Sequence, residues 1–234
     1  MIVFPAAATA VALAFAIHLL VRSGRRRSWF ESVWGVALLM FAAASAALTL
    51  GVLDGWSTGE FRTYWLFGAV LNVPYLALGE VYLLARRPWV GHLVLVVLLA
   101  ATAYAAAEVR TAALDTDVLG NREFFSGRQV LGEDAPARVL AMIYSYAGTA
   151  VLVLGILWSA LGMRGRPELR SRFYGILLIA VGALIVAAGA AFAAAASFVG
   201  FSITLALGVS VMYAGFLTAT RRRTREPAPR PATS

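Results

Sequence analysis

A carboxyl group stands inside an apolar run long enough to cross a membrane: Phe61 to Arg87 reads FRTYWLFGAVLNVPYLALGEVYLLARR and carries Asn72, Pro74 and Glu80. A charge at bilayer depth costs several kcal/mol unless it is paired, neutralised or faces a cavity, so Glu80 marks a candidate site. At the helical rise Glu80 lies roughly 9 Å before the Arg86–Arg87 pair that ends the run, a shallow depth that water can reach. On the 3.6-residue period Gly68, Asn72, Tyr75, Gly79 and Tyr82 form one stripe, with Glu80 roughly 80° around from Asn72. Pro74 cannot donate to the carbonyl of Val70, which frees a backbone acceptor and kinks the helix. Glu80, Asn72, Tyr75 and Tyr82 are therefore the expected ligand-binding residues, in a pocket beside the third span, which suits a protein that senses or binds a small apolar molecule. A purely structural bundle, with the kink serving packing and Asn72 bonded to a neighbouring helix, is the plainer alternative. The same residues suit a second chemistry, a proton-coupled small-solute transporter with Glu80 as the protonatable group and Pro74 as the hinge.

The two histidines suggest a third. His18 precedes Arg22 by one helical turn and His92 follows Arg87 at a similar spacing, so both share the depth of Glu80 near one face. If their helices adjoin, His18 and His92 are the residues that would hold a transition metal or ligate a haem axially, as a redox protein would require. A bare histidine pair without a spacing motif equally suits contact with headgroups or water. Tyr144, Ser145 and Tyr146, with Ser197, Ser202, Thr204, Ser210 and Tyr213, are hydroxyls of the kind that bond backbone or a neighbouring helix.

Composition narrows the field. The chain has 234 residues, 61% hydrophobic and 14% charged, against about half apolar and a quarter charged for soluble domains. It contains no cysteine, which removes disulfides, thiolate metal sites and a cysteine nucleophile. All 20 basic residues are arginine, and the absence of lysine excludes a Schiff-base retinal cofactor. Two histidines are one fewer than the seven-helix zinc hydrolases use, and the Pro-Gln pair of certain sugar and cystine carriers is missing. The net charge of +8 does not indicate nucleic acid, because the arginines fall at the ends of apolar runs rather than along one groove-like face.

These features predict an all-α, polytopic integral membrane protein: a seven-transmembrane-helix bundle over residues 1–220, with spans at about 2–21, 29–53, 62–85, 88–107, 138–162, 173–189 and 196–219. The cluster Arg22, Arg25, Arg26 and Arg27 follows the first span, the reverse of a cleavable signal peptide. Only Arg62, Arg110, Arg122, Arg128 and Arg138 fall on the side away from that cluster. The positive-inside rule then sets the N-terminus outside and the C-terminus in the cytoplasm, as a multi-pass protein of the plasma membrane of a bacterial type. Its expected partners are the bilayer itself, with anionic headgroups at the cytoplasmic face, and a small apolar ligand; self-association into a homo-oligomer stays open.

Between the spans, residues 108–137 form a long polar extracellular loop in which Phe124, Phe125, Val130 and Leu131 are placed to anchor a short helix. Residues 221–234, polar and proline-rich, read as a disordered cytoplasmic tail with arginines near anionic lipid. Ser28 and Glu31 have capping-box spacing, so Glu31 is expected to cap its own helix, and Trp29, Phe30 and Trp34 to make an interfacial belt. Gly148, Gly155 and Gly162 recur every seventh residue in the fifth span and Gly175, Gly182 and Gly189 in the sixth, which predicts close packing of those two helices. The mostly alanine stretch Gly189 to Ala196 carries no strong turn signal.

Overall fold

The computed structural model describes residues 2–85, 87–120, 124–163 and 169–220. Ten α-helices and one π-helical stretch occur among them: α1 (Val3–Arg26), α2 (Trp29–Asp54), α3 (Thr58–Tyr64), the π stretch Trp65–Leu71, α4 (Asn72–Leu84), α5 (Pro88–Thr111), α6 (Thr116–Leu119), α7 (Gly127–Leu131), α8 (Pro136–Met163), α9 (Arg170–Ala194) and α10 (Phe198–Thr220). No strand occurs among the described residues. Seven of the helical rods are long and apolar enough to cross a membrane, α3, the π stretch and α4 together making the third. The tail 221–234, Arg86, Arg122, Glu123, Arg164 and Arg166 lie outside the described residues.

Several rods outrun their apolar cores. α1 continues through Arg26, so its arginines are helical, and it closes on Arg27 at φ 50°. α9 runs five residues beyond Gly189 and stops in a turn at Ala196 with φ 52°, where the Ser197 amide donates to the Phe192 carbonyl at 2.8 Å. Alanine is the best helix former, so an alanine run extends the helix until a left-handed residue and that backbone bond end it.

Six spans close into a ring in the order α1, α2, third span, α8, α9, α10, with α10 returning to α1. α5 lies outside, against α4 and α8, and is the least buried span. Val96 and Val97 of α5 are 63% and 61% exposed, and Trp158 and Leu154 of α8 face outward too, as expected of surfaces solvated by acyl chains.

Glycines decide who packs against whom, and the expected pairing of the fifth and sixth spans is corrected. A Cβ on Gly175, Gly182 or Gly189 of α9 would strike α10, at Ala219 and Gly215, at Gly208 and Met212, and at Thr204 respectively. Gly208 and Gly215 of α10 return the approach, so α9 and α10 are the tightest pair in the fold. The glycines of α8 instead meet the third span: Gly148 lies on Val73 and Pro74, and Gly155 on Glu80 and Leu84. A seven-residue spacing makes a smooth face, but the partner is whichever helix brings a matching one. Consequently the seam between α8 and α9 is the thinnest in the ring.

The third span winds as a π-helix just before Pro74. In the α register that resumes at Asn72 the proline stands opposite the carbonyl of Val70, to which it has no N–H to give. Ser145 of α8 donates its hydroxyl to the neighbouring carbonyl of Ala69 at 3.0 Å, on the same broken stretch of backbone. Ser145→Ala is expected to lower stability by about 1 kcal/mol, between the average membrane side-chain bond and the cost of a bare buried carbonyl. Ser210→Ala, which removes an exposed hydroxyl bonded only within its own helix, should change almost nothing. Thermal unfolding of both variants in detergent checks the difference.

Candidate functional site

Among the described residues the ring has a cavity toward each end. The larger, a chamber of about 670 Å³, is walled mainly by apolar residues of α2, the third span, α8, α9 and α10, among them Leu38, Leu76, Leu152, Val186, Leu205 and Met212. Gly68, Ala69 and Asn72 place the third span in its wall. The Asn72 side-chain amide donates to the Ala37 carbonyl at 2.8 Å, which ties the third span to α2 beside the chamber.

The long loop roofs this chamber. Phe125, Ser126, Gly127 and Arg128 all line it, and Phe125, Leu119, Val130 and Leu131 are buried. Phe125 packs on Trp56 and Phe61, with ring centroids 5.0 and 5.8 Å apart, while Phe124 stacks on Phe201 at 5.4 Å. Trp65 donates its indole N–H to the Ala137 carbonyl at 3.1 Å and fills the space a side chain on Gly127 would need. The helices in the loop are capped by Asp115 and by a Ser126–Gln129 capping box, so this is built structure over the ring. To the side, Tyr146 of α8 and Leu184 of α9 line the chamber yet are 75% and 51% exposed, which marks an opening at the thin α8–α9 seam.

The smaller cavity, about 470 Å³, opens at the arginine-rich end and has a different chemistry: Arg22, Arg26 and Arg172 meet Glu31 and Glu80 there, with Trp34, Ile156 and Ile179. Glu80 is 2% exposed and its Oε1 has no hydrogen-bond partner among the described residues. Its stem packs against Gly155, so the glycine of α8 is what leaves room for the acid. Glu31 is equally buried; Arg22 Nε lies 2.9 Å from its Oε1 in an ion pair too bent to count as a hydrogen bond, and its Oε2 is unpartnered. Arg22 also lies over the Phe216 ring, 5.2 Å from its centroid.

Glu31 and Trp34 therefore depart from their expected roles. Ser28 makes no side-chain cap, because Glu31 is turned inward to Arg22 across the short α1–α2 turn. The capping box forms at Ser57–Glu60 instead, where the acid meets water. Trp34 is buried against Gly79 and donates its indole N–H to the Leu76 carbonyl at 2.9 Å, so only Trp29 of the expected belt residues on α2 is strongly exposed. An acid following a basic cluster across a tight turn was the available signal for the Arg22–Glu31 pair.

The stripe of the third span divides between neighbours. Gly68, Asn72 and Gly79 face α2, at Ala44, Ala37 and Trp34. Tyr75 and Tyr82 face α5 instead: the Tyr75 hydroxyl lies 3.1 Å from Thr102 Oγ1 and the Tyr82 hydroxyl 2.9 Å from His92 Nδ1. Neither tyrosine lines either cavity. All four of Asn72, Tyr75, Gly79 and Tyr82 lie in the regular helix α4, where at about 100° per residue the tyrosines sit roughly 40–80° around from Asn72 and Gly79, enough to meet a different neighbour.

The histidines sit at separate interfaces. His18 of α1 is 3.3 Å from the Tyr213 hydroxyl and edge-on to Phe216, both on α10. His92 of α5 joins Tyr82 and Trp29. Among the described residues no three His, Asp or Glu side chains gather as a metal-ion set. Tyr144 donates to the Ala101 carbonyl, the same backbone-bonding use that Ser145 makes of its hydroxyl. Comparison of the chain with protein-family models, with curated proteins and with solved structures found no match, so function has to be read from the two cavities themselves.

Proposed function

We propose that the protein is a multi-pass membrane protein that binds a small apolar molecule in the chamber beside the third span, as a sensor or carrier of that molecule within the bilayer. The observation that carries this reading is the chamber's combination of apolar walls, a structured roof and a side opening at Tyr146 and Leu184. Cavities of roughly 300–1,000 Å³ are the size that holds one small ligand, and apolar walls with a few polar groups are their usual lining. An opening on the lipid-facing side admits a molecule already dissolved in the acyl chains. The arginine bias argues for the N-terminus outside and the arginine-rich end in the cytoplasm, in the plasma membrane.

A photoactivatable hydrocarbon probe added to the reconstituted protein tests it. Labelling is expected inside the ring, on the third span between Gly68 and Leu76, as well as on the lipid-facing residues Val96 and Trp158. Ala183→Trp, in the chamber wall, should cut the interior labelling by about tenfold, since overfilling a site costs about 1–3 kcal/mol, and leave labelling of the outer faces alone. Labelling confined to the outer faces in the unaltered protein would remove this function.

A further inference from the structure

The cavity at the arginine-rich end is a second site, and its chemistry differs from that of the chamber. Its rim and floor are sorted by charge: Arg26 and Arg172 are exposed, Arg22 is partly covered, and Glu31 and Glu80 are each 2% exposed. Two of the buried carboxylate oxygens, Glu31 Oε2 and Glu80 Oε1, have no hydrogen-bond partner among the described residues. Buried acceptors without donors are rare in folded proteins, and when they line a cavity they indicate what the cavity takes.

Three simple ligand classes fail against this arrangement. A bare metal cation would bring no anionic group of its own to offset the three guanidinium groups. A plain anion would suit Arg26 and Arg172 but would meet the carboxyl groups at the floor and leave both acceptors unfilled. An apolar molecule would leave every polar group unpaired. What fits is a ligand with N–H donors at one end and an anionic group at the other, the ammonium leading inward. Guanidinium forks match phosphate oxygens in bidentate geometry, and the helix-end position of these arginines is the level at which phosphate groups of a leaflet lie.

We propose that this cavity binds a phosphate ester bearing a primary ammonium group, with the phosphate on Arg26 and Arg172 and the ammonium donating to Glu80 Oε1 and Glu31 Oε2. The headgroup of an ethanolamine phospholipid and free O-phosphoethanolamine share this chemistry. A trimethylammonium group does not, because it has no N–H to give to the two acceptors. The site stands on its own residues, whether or not the chamber takes an apolar molecule.

The test uses the full chain, delipidated in detergent, and isothermal titration with four probes: short-chain phosphatidylethanolamine, short-chain phosphatidylcholine, short-chain phosphatidylglycerol and free O-phosphoethanolamine. At least one ethanolamine probe is expected to bind about tenfold or more tightly than the choline and glycerol lipids, as two charge-assisted bonds imply. Glu80→Gln should erase most of that preference, and Arg172→Ala, on the exposed rim, should weaken binding without changing the unfolding temperature of the ligand-free protein. Binding of the ethanolamine lipid alone assigns a membrane headgroup; comparable binding of free O-phosphoethanolamine assigns a soluble solute. Equal affinity for ethanolamine and choline lipids, no binding of either ethanolamine probe, or a preference untouched in both folded variants, overturns the site.

Discussion

Gly182→Leu is expected to split α9 from α10 and to cost more stability than a replacement at any glycine of α8. Its Cβ would stand 2.6 Å from the Gly208 carbonyl oxygen and 2.7 Å from the Met212 amide nitrogen, both backbone atoms of a facing helix that no rotamer change can move aside. Overpacking commonly costs about 1–3 kcal/mol, and a clash with backbone belongs at or above the top of that range. Gly162 of α8 occupies the equivalent place in a seven-residue series, yet a Cβ there meets nothing within 4 Å among the described residues. Gly162→Ala should therefore be neutral or raise stability by up to about 1 kcal/mol through helix propensity alone. Unfolding temperatures of the two variants in one detergent decide the matter, and equal losses would mean that α9 and α10 do not approach as described.

Arg22→Met is expected to be the most damaging change at the arginine-rich end. It keeps the apolar stem but leaves the Glu31 carboxylate, 2% exposed, without its cation. Breaking a buried ion pair from one side costs about 3–5 kcal/mol; because the Arg22 side chain is 21% exposed, a value toward the lower end is expected. Part of that loss, about 0.5–1 kcal/mol, is the contact of the guanidinium with the Phe216 ring. Glu31→Gln removes the stranded charge, so the double variant Arg22→Met/Glu31→Gln should be more stable than Arg22→Met alone. Denaturant unfolding of the full cycle gives the coupling, expected at about 1–3 kcal/mol, and strictly additive losses would show that the pair contributes nothing.

How much of this was legible in the sequence follows from the kind of signal each feature leaves. The seven spans are written in hydropathy over about twenty residues, a signal that needs no knowledge of neighbours. The burial of Glu80 and Asn72 is also local in origin, since a polar group within an apolar run has to turn away from lipid. Partner choice is not local. The glycines of α8 have the same spacing as those of α9, and only the facing surfaces send the first to the third span and the second to α10.

Residues with two satisfactory uses were the other source of error. Glu31 has capping spacing from Ser28 and also lies one tight turn from Arg22, and the ion pair wins because the acid faces the ring interior. Trp34 suits a headgroup belt, but Gly79 leaves a slot beside the Leu76 carbonyl that accepts its indole N–H. Tyr75 and Tyr82 share a broad stripe with Asn72, but within α4 they stand roughly 60–80° around from it, and that spread carries them to α5 while Asn72 meets α2. The roof was partly visible as Phe124, Phe125, Val130 and Leu131, apolar residues with no local reason to sit in a polar loop.

The π winding of the third span has a consequence for comparing chains. The stretch Trp65–Leu71 amounts to one inserted residue, and an insertion in a helix is a phase slip of about 100° for everything downstream. A cousin lacking the insertion would present its own acid to Gly155 only from a neighbouring position in the alignment, so an ungapped comparison would score the two carboxylates as unrelated. A one-residue gap here, followed by a displaced acid, is the pattern by which a chain of the same build would be recognised.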